Sequence, residues 1–117
     1  MPGLITEPTH SPVPGGKVID AHIGRVNTGS EAVSLAYMMV PVTWGEPFQR
    51  PDFDEVTLVL AGSVFLDHEG APTSVLAGQP ILTSAGERIR DSCGPGGAEY
   101  VAVCLPAFAP DTVNRED

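Results

Sequence analysis

Along this chain, hydrophobic and polar positions alternate over short stretches, and nowhere do apolar residues recur at the 3.6-residue spacing of an amphipathic helix. KVIDAHIGRV (residues 17–26) and VSLAYMMVPV (33–42) are strand-length runs rich in β-branched and aliphatic residues, separated by the turn-forming NTGSE. EVTLVLAGSVFLDHEG (55–70) predicts a strand, a glycine break at Gly62, a second strand and a turn at His68 to Gly70; TSVLAGQPILTSAGERIRDS (73–92) repeats that scheme around Gly78 and Gly86. GPGG (94–97) predicts a turn, and AEYVAVCLPAF (98–108) a last apolar strand. Six to nine short strands at this spacing describe a small all-β sandwich or barrel.

Before the first strand, MPGLITEPTHSPVPGG carries Pro2, Pro8, Pro12 and Pro14, which deny regular helix. Residues 1–16 are therefore expected to form an extended arm, 17–110 the barrel, and the polar DTVNRED (111–117) a solvated tail. A chain of 117 residues holds one domain and one principal site. Its 13 glycines and 12 prolines leave no room for long helices.

Charge narrows the partners. Six Lys and Arg against 15 Asp and Glu give a net charge of −9, a field that repels phosphate backbones and anionic lipid surfaces, so neither nucleic acid nor membrane is expected to bind. The N-terminus has no basic start followed by an apolar run, and no segment approaches the length of a membrane span, so a soluble cytoplasmic protein is expected. Cys93 and Cys104 stand outside any CxxC or zinc-type spacing and are expected as free thiols.

The segment PFQRPDFDEVTLVLAGSVFLDHEG (47–70) resembles the first motif of the cupin superfamily, in which two histidines one residue apart precede a Glu that is followed, after six residues, by a Gly; Glu55 and Gly62 match. LAGQPILTSAGERIR (76–90) is similar to the second motif at Gly78 and Gly86, with Ser84 where that motif has Pro and Ile89 where it has His. The resemblance covers residues 18–108 and implies an RmlC-like jelly-roll barrel. It also implies a metal held by three His and one carboxylate. At the two first-motif histidine positions this chain has Gln49 and Pro51, or Phe48 and Arg50 in the neighbouring register. No resident metal or other cofactor is therefore expected.

Without a metal, the resemblance turns Glu55 inward, where burial would raise its pKa and suit it to general acid–base work. Gln49, Tyr37, Met39, Trp44, Phe53, Thr57, Ile89 and Arg90 are the candidate ligand contacts, on motif position or on the apolar lining an organic molecule needs. Alternation puts Glu87, Ile89 and Asp91 on one strand face and Arg88 and Arg90 on the other; a bulge near Gly86 would exchange them. The expected function is small-molecule binding in the barrel, with metal-independent isomerase, cyclase or lyase chemistry. A non-catalytic sensing module, and a metal enzyme with ligands relocated to Gln49, Glu55 and His22, are the alternatives. Edge strands and the apolar CLPAF segment favour a homodimer.

Overall fold

Valine, isoleucine, leucine and threonine at alternate positions pack one face of each strand inward, and in the computed structural model, which describes residues 3–11 and 16–116, this produces seven strands. They are β1 (Thr9–Ser11), β2 (Val18–Ile23), β3 (Ser34–Val40), β4 (Asp54–His68), β5 (Ala71–Leu76), β6 (Pro80–Thr83) and β7 (Ile89–Leu105). All pairings are antiparallel, in the order β1-β2-β3-β7-β4-β5, with β6 on the other edge of β4's first half. No helix among the described residues is long and apolar enough to cross a membrane.

β4 and β7 pair over nearly their full lengths, from Asp54 opposite Leu105 to His68 opposite Ile89. The second half of β7 is flanked by β3, while its first half receives the 45–49 segment through bridges at Gly45–Ser92 and Gln49–Ile89. The two long strands thus run through both walls of a jelly-roll barrel. Its core is Val40, Val59, Val64, Val75, Ala98, Tyr100 and Ala102, and a second cluster joins Phe53, Cys104 and Val113.

Two expected breaks are absent. Gly62 lies inside β4 and GPGG inside β7, because both strands bend there instead of ending. Gly62 has φ +73°, and a Cβ on it would lie 2.2 Å from the Gly97 carbonyl oxygen; Gly97 has φ +75°, and a Cβ there would lie 2.6 Å from the Val40 carbonyl oxygen. The register shifts at Val59/Ala61 and Gly62/Val64 are the bulges that turn the strands from one wall to the other.

The termini are tied to the barrel more than their composition suggests. Within the expected arm, Thr9–Ser11 pairs with Ala21 to Ile19, while residues 1–2 and 12–15 lie outside the described part. In the expected solvated tail, Val113 is buried, Asp52 N–H donates to the Thr112 carbonyl, and Arg88 forms a two-pronged ion pair with Glu116; residue 117 lies outside the described part. The apolar contact of Val113 with Phe53 and a line of main-chain hydrogen bonds hold this segment down.

Candidate active site

The barrel opens on a cavity of about 800 Å³ walled by β2, β3, β4, β7 and the segment 41–49. Ile19, Ala21 and Ile23 of β2, Ala36 and Met38 of β3, and Tyr100, Ala102 and Cys104 of β7 give it an apolar wall. Four charged side chains enter that wall: Lys17, Glu46, Glu55 and Asp91. Arg25 and Arg115 also line it, and both are substantially exposed to solvent.

Each acid is placed by backbone pairing. Glu55 sits near the start of β4, opposite Thr83 of β6 and Cys104 of β7, so alternation turns it inward between two apolar strands. Asp91 follows Ile89 on the inward face of β7, and the Glu46 N–H donates to the Asp91 carbonyl at 3.0 Å, which fixes the 41–49 segment against β7. Gln49 and Ile89 exchange a pair of main-chain hydrogen bonds, both 2.9 Å, and this pairing turns the Gln49 amide into the cavity. Gln49 is only 7% exposed, and its Oε1 is buried without a hydrogen-bond partner among the described residues.

The electrostatics follow from that placement. Burial raises the Glu55 carboxyl from 4.5 to about 8, with the charges of Asp91 and then Glu46 adding to the effect. Burial likewise raises Asp91 from 3.8 to about 7, again with Glu46 adding to it. The Lys17 ammonium opposes both shifts, but its direct partner is Glu46, with Nζ to Oε1 at 2.6 Å and the ammonium 4.7 Å from the Trp44 ring centre. The Cys104 thiol donates to Glu55 Oε2 at 3.7 Å; burial raises this thiol strongly, and the neighbouring Glu55 charge adds to that, so it stays protonated. At neutral pH the cavity thus holds two carboxyl groups able to carry protons.

Of the residues expected at the site, Glu55, Gln49, Trp44 and Phe53 line the cavity. Tyr37 and Met39 do not. They point to the opposite side of β3, Tyr37 donating to Glu99 and Met39 42% exposed, while their neighbours Ala36 and Met38 face inward. Thr57 and Ile89 face the interior but are buried in packing away from the cavity wall. Arg90 points outward to Asp67 at 2.8 Å and lies over the Phe48 ring, because Ile89 and Asp91 hold the inward positions of that strand. Lys17, Glu46 and Tyr100 join the site unannounced by any motif, and Asp91 enters by the strand alternation that the motif register implied.

His22 is not a cavity residue, although Ala21 and Ile23 on either side of it are, so Gln49, Glu55 and His22 do not converge. No histidine lines the cavity, and among the described residues no three His, Cys, Asp or Glu side chains form a metal-holding group. The residues present do not fit the three-His, one-carboxylate shell that the motifs would imply. A second, more open cleft of about 610 Å³ lies between Arg50, His68, Glu87 and Arg88, where Glu116 already occupies Arg88.

A jelly-roll barrel with its Glu and glycines at these positions and its cavity between the walls is a cupin fold. No family model matches the chain. Its structure is similar to an oxalate decarboxylase variant from Bacillus subtilis, with a TM-score of 0.80 and 14% identity over 95% of this chain and 31% of that one. It is also similar to an RmlC-like cupin from Shewanella frigidimarina, with a TM-score of 0.73 and 15% identity over 91% and 89%, and to KdgF from Halomonas, with 0.72 and 10% over 86% and 89%. In sequence, the chain is 38% identical over 102 residues to a Myxococcus xanthus protein described as endoribonuclease YbeY, covering 86% of this chain. The chain spans 35% of the length of that relative.

Proposed function

We propose that the barrel binds a small organic molecule and acts on it by acid–base chemistry without a metal, as an isomerase, cyclase or lyase. The observation that carries this reading is the pair of inward carboxyls, Glu55 and Asp91, both in the cavity wall and near enough for the Asp91 charge to raise Glu55. Their pKa values are pushed up to about 8 and about 7, near the pH at which one group can give a proton and another take one. Glu55 is the general acid or base, and Asp91 its proton partner or the anchor of the ligand. The ribonuclease activity named for the Myxococcus protein is not carried over to this chain. An acidic cavity in a chain of net charge −9 disfavours a phosphodiester, and the chain corresponds to about a third of that protein.

The second reading is a binding module without turnover, favoured by the Cys104 thiol that already donates to Glu55. One experiment separates the two. The protein is incubated with a library of small neutral and cationic metabolites in deuterated buffer, and deuterium incorporation or product formation is followed by NMR and mass spectrometry. The acid–base reading expects turnover that Glu55→Gln reduces by about 100-fold while binding persists. Binding with no turnover or deuterium exchange in wild type contradicts the catalytic reading and leaves the module.

A further inference from the structure

Three carboxyl groups and three cationic side chains line the cavity, but the cations are engaged elsewhere than at Glu55 and Asp91. Lys17 is committed to Glu46 and to the Trp44 ring, Arg115 reaches Glu46 Oε2 at 3.4 Å, and Arg25 faces the Ala107 carbonyl and Glu31 at the rim. Among the described residues, Glu55 and Asp91 have no cationic side chain within ion-pair distance, and Gln49 adds a buried amide oxygen with no donor. A buried acceptor left unpaired carries the cost of its lost hydration, so a ligand that supplies N–H groups is favoured at this wall.

Resting on the small-molecule reading above, we infer that the cavity selects an organic ammonium ligand, with its charged nitrogen at Asp91, Glu55 and the Gln49 amide oxygen and its apolar part against Trp44 and Tyr100. The chain already shows the chemistry with one of its own residues: the Lys17 ammonium is held by a carboxylate and an indole face in the same wall. A cavity of about 800 Å³ is far larger than a bare ion and accommodates a ligand with a ring or an alkyl body. An anionic ligand would find no free cation beside Glu55 and Asp91 among the described residues, because Lys17 and Arg115 are paired with Glu46 and Arg25 with Glu31. Because Glu55 and Asp91 carry protons near neutrality, an arriving ammonium must displace one, and binding is coupled to proton release.

Benzylammonium, benzyl alcohol and benzoate share one body and differ in charge, and their binding to the full chain is measured by calorimetry at pH 7 in two buffers of different ionisation enthalpy. The expected result is benzylammonium bound at least tenfold more tightly than benzyl alcohol, with release of up to one proton, and benzoate bound most weakly. Asp91→Asn is expected to remove the preference for the ammonium while benzyl alcohol still binds, which also reports that the variant is folded. Benzyl alcohol or benzoate bound as tightly as benzylammonium overturns the inference and leaves the small-molecule reading intact. If none of the three binds, both fall.

Discussion

A carboxyl group moved from water into an apolar wall keeps its proton to higher pH, and that proton is linked to folding. Glu55 titrates at about 8 in the folded chain against 4.5 for an ordinary Glu, and Asp91 at about 7 against 3.8. Between those limits the folded state holds more protons than the unfolded one. The contribution of these groups is therefore fully present below about pH 4 and lost as pH rises towards 8, at about 1.4 kcal/mol per pH unit for each proton retained. Glu116, which the Arg88 hydrogen bond holds below its usual value, acts in the opposite sense at the acid end, its contribution fading as pH falls. Urea unfolding is expected to show wild type losing stability from pH 5 to pH 8, and Glu55→Gln showing a flatter profile and higher stability than wild type at pH 8. Stability that rises from pH 5 to pH 8 in wild type, with an unchanged slope in the variant, contradicts the placement of Glu55. At this scale Glu55 and Gln49 were legible from motif spacing and Asp91 from strand alternation, because both follow the local chain. Lys17 and Glu46 were not, since one precedes β2 and the other lies in a loop, and only tertiary packing brings them together at 2.6 Å.

Among the elements, glycines decide where strands bend and parity decides which face is wet. Gly62 combines φ +73° with a carbonyl oxygen 2.2 Å from any Cβ, whereas Gly78, at φ +86°, faces open space. Gly62→Ala is expected to cost about 3 kcal/mol and Gly78→Ala about 1 kcal/mol, read from urea midpoints at constant m-value. Equal costs would mean that the close approach at Gly62 relaxes freely. Strand-forming stretches were readable from alternation, yet alternation alone does not say which parity faces inward. VSLAYMMVPV suggested Tyr37 and Met39 as cavity residues on chemistry, and the pairing of β3 with β7 put Ala36 and Met38 there instead. The GPGG run likewise has the composition of a turn but serves as a bend within β7, a distinction that rests on Ala98 pairing with Gly62 across the sheet.

Over the whole molecule, the barrel separates two surfaces of different chemistry. Its inner face gathers carboxyl groups around an apolar cavity, and its outer face presents apolar residues edged by Asp20 and Glu99. The all-β architecture was legible because strand length, turn residues and the two motif glycines agreed. The seating of the C-terminal segment was not, because its anchor is one buried apolar residue, Val113, in an otherwise polar run. The central claim is that Glu55 and Asp91 exchange protons in the neutral range. Carbon-13 NMR titration of the side-chain carboxyls tests it most directly. The account predicts midpoints near 8 for Glu55 and near 7 for Asp91, both moving down when an ammonium ligand is present. Midpoints at ordinary carboxylate values, below about 5 for both, would contradict it.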